Sequence, residues 1–117
     1  VTAAFDLNVL QHVNRLLGAD FDPESFRHRA LYDPDAGRIE MHLVSTTPQR
    51  VRLRPPGGAE VEIDFAAGEP IVTEYSYKYT PDGFAALAGS AGFVVRQRWS
   101  DDAGWFGVFA FDRAAPD

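Results

Sequence analysis

In the stretch TEYSYKYTPDGF, residues 73–84, Glu74, Ser76 and Lys78 stand two apart and alternate with Tyr75, Tyr77 and Tyr79. Successive side chains of an extended strand point to opposite faces, so this spacing predicts the carboxylate, hydroxyl and ammonium on one side and the three rings on the other. Glu74 and Ser76 would then be separated by about 6 to 7 Å along the strand. Such a pair can hold the two edges of a small polar ring. The carboxylate accepts from one N–H, the hydroxyl donates to or accepts from the other nitrogen, and imidazole fits that description. The same residues also read as the solvated face of an edge strand, with Glu74 paired to Lys78 in water. Spacing alone leaves both readings open.

Other residues with chemical potential are scattered. His12 falls on a helical pattern, His28 at the entry of the first strand and His42 on the next strand, without a paired-histidine motif, so each reads as a surface or hydrogen-bonding residue and no metal ligand is assigned. Met41 alternates with Ile39 and Leu43 and reads from spacing alone as core filler. Trp99 and Trp105 bracket the last turn as packing rings. No phosphate-cradling glycine loop, nucleophile elbow or acid/base dyad is present, and no catalytic residue is assigned.

Composition narrows the partners. A chain of 117 residues with 45% hydrophobic and 13% aromatic content can build the core of one soluble unit. Seventeen acidic against eleven basic residues give a formal charge of −6, and the arginines form no run. That balance argues against nucleic acid or an anionic membrane and favours a small or cationic ligand. The absence of cysteine excludes disulfides, thiolate zinc sites and cysteine nucleophiles. No apolar run approaches the roughly 18 to 20 residues that span a bilayer, no secretion signal is visible, and the expected location is the cytoplasm. The chain opens on Val1 and runs straight into a helical pattern, which reads as a piece of something longer.

The elements that must position these residues follow from periodicity. Phe5, Val9, Leu10, Val13, Leu16 and Leu17 recur at three- and four-residue spacing between Thr2, a candidate cap, and Gly18, a left-handed stop, and predict an amphipathic helix. In DPESF, Asp22 and Pro23 predict a short helical turn. Residues 27–32 and 38–45 flank DPDAG as a hairpin. A second hairpin sets Val51 and Leu53 against Val61, Ile63 and Phe65 across RPPGGAE, with one wet face. Residues 71–79 predict a strand. Thr80 and Pro81 open a helix with the stripe Phe84, Leu87, Ala88 and Ala91, and residues 93–99 and 105–111 form a third hairpin around SDDAG. The fold class expected is α+β.

Three blocks of the sequence, VTAAFDLNVLQHVNRLLGADFD, FRHRALYDPDAGRIEMHLVS and TEYSYKYTPDGF, resemble in order the S-adenosylmethionine-dependent histidine Nα-methyltransferases. Members of that family begin ergothioneine synthesis by trimethylating histidine to hercynine. The resemblance implies that residues 1–79 are a substrate-binding region of a helix followed by antiparallel strand pairs. Residues 80–117 would be the closing helix and hairpin of a Rossmann-like methyltransferase sheet. The family motif Glu-x-Ser-x-Lys-aromatic falls on Glu74, Ser76, Lys78 and Tyr79, which implies that Glu74 and Ser76 bind the two imidazole nitrogens. The methionine of the Ile-Glu-Met block, Met41, would line the same pocket.

The chain departs from the family in lacking the glycine-rich cofactor turn and the upstream asparagine and tyrosines that hold the substrate's amino and carboxylate groups. S-adenosylmethionine is therefore expected to bind in an N-terminal part preceding this chain, and the isolated 117 residues are expected to be inactive. Two other readings compete. One is a stand-alone module that binds an amino acid or heteroaromatic ligand without chemistry. The other is a fragment that self-associates through exposed strand edges.

Overall fold

The computed structural model describes residues 1–116. The chain divides into two compact units, Val1–Tyr77 and Lys78–Asp117. The first holds helix α1 (Thr2–Leu17), a 3₁₀ turn (Pro23–Ser25) and strands β1 (Phe26–Asp33), β2 (Arg38–Ser45), β3 (Gln49–Leu53), β4 (Val61–Phe65) and β5 (Pro70–Tyr77). The second holds α2 (Pro81–Ser90), β6 (Phe93–Ser100) and β7 (Gly107–Arg113). The class is α+β, a helix followed by antiparallel strand pairs, as expected from the sequence.

Apolar periodicity and capping chemistry account for α1, although the cap differs from expectation. The Phe5 N–H donates to the Val1 carbonyl, so the helix begins one residue early and Thr2 lies inside it, with no side-chain cap. Gly18 stops it in the left-handed region at φ 54°, a conformation that costs a residue without Cβ little. The buried stripe is also rotated from the predicted one. Asp6 and Leu10 are buried, Leu7 and Val13 pack against the core, and Phe5 and Leu16 are each 72% exposed. The helix has two apolar stripes, and the one that packs on the sheet carries Leu7, Leu10 and Val13, with Asp6 buried beside them 3.6 Å from His28 of β1.

The core joins α1 to two sheets. Leu10, Phe21, Phe26, Leu43, Val51 and Phe65 form one cluster, with Leu43 fully buried. The rings of Phe21, Phe26 and Phe65 have centroids 5.6 to 6.2 Å apart in tilted and edge-to-face arrangements, the geometry that ring quadrupoles favour. Phe21 is fixed from the helix side: Asn14 Nδ2 donates to its carbonyl and Asn14 Oδ1 accepts from its N–H, both at 2.8 Å. The end of α1 and the segment after it also hold β3 and the residue that follows it, since the Arg52 N–H donates to Asp20 Oδ1 at 2.7 Å and the Arg54 N–H to the Leu17 carbonyl at 2.6 Å.

The strands pair as β1-β2-β5, β3-β4 and β6-β7, every pair antiparallel. The β1–β2 hairpin turns at Gly37, φ 67°, as DPDAG predicts. In the β3–β4 hairpin the wet face carries Arg50 paired with Asp64 at 2.6 Å and Arg52 with Glu62 at 3.2 Å, while Val51 turns inward. The strand predicted over 71–79 ends at Tyr77, so Lys78 and Tyr79 lie outside it, and Thr80 caps α2 by accepting from the Gly83 N–H at 3.0 Å.

In the second unit the rings of Phe84, Phe109 and Phe111 pack together. Leu87 and Ala91 of the predicted α2 stripe are exposed, because β6 and β7 meet the side of the helix that carries Phe84. Trp105 lies before β7, in the turn, and is 89% exposed.

Phe26→Ala is expected to destabilise the protein by about 3–5 kcal/mol, the range for emptying a packed aromatic site. Leu16→Ala, on the exposed stripe, is expected to change stability by less than about 0.5 kcal/mol. Urea denaturation of the two variants measures the contrast, and equal effects would contradict the assigned helix orientation.

Candidate functional site

Residues paired across an antiparallel ladder project from the same side of the sheet. Strand β2 places Met41 opposite Ala30 of β1 and Glu74 of β5, and Ile39 opposite Tyr32 and Ser76. One face therefore carries two adjoining rows, Ala30–Met41–Glu74 and Tyr32–Ile39–Ser76. The next row, His28–Leu43–Ile71, runs toward the core: Leu43 and Leu10 belong to one buried cluster, and Ile71 packs against it. Helix α1 thus covers one end of this face. Beyond it, Met41, Ile39 and Ser76 are half-buried and Glu74 is exposed.

Two ionisable groups meet where the helix lies on the sheet. Asp6 Oδ2 and His28 Nε2 are 3.6 Å apart, and neither buried atom makes a hydrogen bond among the described residues. This is an ion-pair distance, too long for a direct hydrogen bond.

The opposite face is tied together by a polar network that crosses all three strands. Arg38 Nε donates to Glu40 Oε2 at 2.8 Å, and Arg38 Nη1 donates to the Tyr77 hydroxyl at 2.8 Å. The guanidinium lies 3.7 Å from the centroid of the Tyr75 ring, within cation–π range. His42 is buried, with Nε2 2.9 Å from Glu40 Oε1 and Nδ1 3.0 Å from Arg29 Nη2. Since the carboxylate only accepts and the guanidinium only donates, the tautomer assigned by these partners carries its proton on Nε2. The chain of contacts links Arg29 on β1, three residues of β2 and both tyrosines of β5. It holds β5 in register from behind while Glu74 and Ser76 project in front.

The sequence-selected residues are thus distributed as follows. Met41 and Glu74 stand directly opposite one another, and Ser76 lies one row along on the same side. Tyr75 and Tyr77 take the other side, with Arg38. Lys78 falls beyond the strand. His12 Nδ1 lies 2.8 Å from Arg15 Nη2 on the helix surface. Sequence reading missed the Arg38–Glu40–His42 row, although three charged or polar residues spaced two apart on a predicted strand were its signal. It also missed Asp6, because an acid among apolar residues at helical spacing reads as solvent-facing.

Comparison with known proteins gives first a class, methyltransferase, and then a family. The family described as histidine-specific methyltransferase, SAM-dependent, matches residues 1–113, and the chain belongs to it. Among curated proteins the chain is 46% identical over 108 residues to histidine N-alpha-methyltransferase of Mycolicibacterium smegmatis, covering 92% of this chain and 33% of that protein. It is 43% identical over 108 residues to histidine N-alpha-methyltransferase of Mycobacterium tuberculosis, with the same coverage. The chain spans about a third of the length of these relatives.

The back-face network has a measurable pH signature. Hydrogen bonds from His42 and then from Arg38 hold the Glu40 carboxyl below its ordinary value of 4.5, against the burial that pushes it up. A carboxyl lowered on folding contributes stability above its unfolded value and loses it as pH falls through the folded one. Glu40→Gln is therefore expected to be less stable than the unaltered protein at pH 7, with the gap closing below pH 4.5. Urea midpoints followed from pH 7 to pH 3 test this, and a gap independent of pH would contradict it.

Proposed function

We propose that this chain is the substrate-binding, C-terminal part of an S-adenosylmethionine-dependent L-histidine Nα-methyltransferase that converts histidine to hercynine in ergothioneine biosynthesis. The reading rests on one observation above the others: Glu74 and Ser76 share a face with Met41 in a chain that belongs to a histidine-specific family. On this reading the Glu74 carboxylate accepts from one imidazole N–H, the Ser76 hydroxyl pairs with the other nitrogen, and the Met41 thioether packs on the ring. The substrate is a small amino acid, and Val1 to about Tyr79 forms the recognition region. Residues 80–117 then complete a Rossmann-like sheet whose remainder lies in sequence outside this chain.

The residues present do not fit the cofactor. A dinucleotide- or nucleoside-binding turn of the Rossmann type needs glycines between a strand and the start of a helix. The positive-φ glycines here follow a helix, as Gly18 and Gly92 do, or join strands, as Gly37, Gly57, Gly68 and Gly104 do. On the proposed reading S-adenosylmethionine, which would supply the methyl group, is bound by the other part, and the isolated chain is inactive. What this chain contributes is position. It fixes the imidazole so that the amine can approach the methyl donor in line, and orientation of that kind can account for a large share of a rate enhancement. The proposed location is cytoplasmic.

In the polypeptide that unites this chain with its cofactor-binding part, Glu74→Ala is expected to weaken histidine binding by about 1–3 kcal/mol, the range for losing a charged hydrogen bond. Calorimetric titration measures it, and undiminished affinity would remove Glu74 from the role. A stand-alone binding module is the second reading. It is favoured if the 117 residues alone bind histidine as tightly as the united polypeptide does.

A further inference from the structure

Strand β5 contains one residue more than its ladder needs. Its pairing with β2 runs Ile71 opposite Leu43, Val72 opposite His42 and then Glu74 opposite Met41, so the register shifts between Met41 and His42 and Thr73 has no partner of its own. This is a β-bulge, which bends a strand, increases its twist and re-aims the neighbouring side chain. Its consequence here is one of parity. Ile71 and Glu74 are three residues apart, an odd spacing that regular alternation puts on opposite faces. With the extra residue, Ile71 packs toward the core beside Leu43 while Glu74 and Ser76 rise on that same face beside Met41 and Ile39.

The bulge is also tied. Thr73 is half-buried, and its Oγ1 donates to the Met41 carbonyl at 3.1 Å. The acceptor belongs to the residue that stands opposite Glu74, so a single hydrogen bond connects the bulged backbone to the thioether-bearing residue of the proposed pocket. Glu74 itself makes no side-chain hydrogen bond or ion pair among the described residues. The face from which it projects is therefore set by backbone geometry, not by a neighbouring side chain.

We infer that Thr73 is the positioning residue for the Glu74 carboxylate. The inference rests on the proposed role of Glu74 in holding an imidazole and adds the element that directs it. Thr73 does not touch the ligand. It acts by fixing the bulge through its hydroxyl, so a β-branched residue without that hydroxyl keeps the strand but loosens the aim, whereas serine keeps the aim.

A double-mutant cycle on the united polypeptide, read by histidine titration, tests this. Thr73→Val is expected to raise the histidine Kd about tenfold, the scale of a modest misplacement of a binding group, and Thr73→Ser is expected to restore it. In the Glu74→Ala background Thr73→Val is expected to have no further effect, because the group it positions is gone. Equal effects of Thr73→Val with and without Glu74 would overturn the inference and assign Thr73 a general structural role. An unchanged Kd in Thr73→Val would overturn it as well. If Glu74→Ala alone leaves the Kd unchanged, the reading of Glu74 fails first, and the positioning role fails with it. Thermal melting of each variant separates loss of fold from loss of aim.

Discussion

The register between β2 and β5 is the constraint on which the rest depends. A slip of one residue in this ladder would exchange every side chain between the two faces. Glu74 and Ser76 would join Arg38 and His42, and the tyrosines would face the side covered by α1. Three features oppose that slip. Ile71 is packed against the buried cluster, Tyr75 and Tyr77 hold the Arg38 guanidinium from behind, and Thr73 absorbs the extra residue between them. The first acts through the hydrophobic effect, the second through a charge and two rings, and the third through backbone geometry.

This arrangement divides labour between the faces of one small sheet. Behind, the polar groups satisfy one another: Arg29, Arg38, Glu40, His42 and Tyr77 form a connected hydrogen-bonded row. In front, the Glu74 carboxylate stands exposed beside apolar side chains. His42 is buried at the centre of this row, which opens to solvent at Tyr77, and its hydrogen bonds tie β1, β2 and β5 together behind the proposed site. The family to which the chain belongs is described as histidine-specific, and on the proposed reading the two imidazole nitrogens meet two side chains on neighbouring rows.

Much of the fold was legible in the sequence, because helix α1, the three hairpins and the cap at Thr80 rest on local signals: apolar periodicity, Pro and Gly at turns, and a hydroxyl before Pro81. What was not legible is non-local. The rotation of α1 goes with the packing of Leu7, Leu10 and Val13 against residues distant in the chain, such as Phe26 and Leu43, and periodicity cannot choose between two apolar stripes on one helix. Alternation predicts strand β5 through Tyr79. It ends at Tyr77 and carries a bulge at Thr73 that only its partner strand reveals. Of the candidate site, the common side of Glu74 and Ser76 could be read from their spacing of two. Their position relative to Met41 could not, since it is a property of pairing across thirty-three residues of chain.

The central claim is geometric, and a structure of the united polypeptide with histidine bound tests it most directly. The account predicts the imidazole lying on the Met41 side of the sheet, with one ring nitrogen within about 3.2 Å of a Glu74 carboxylate oxygen and the other within the same distance of the Ser76 hydroxyl. Histidine held elsewhere, with Glu74 still turned to solvent, would contradict it.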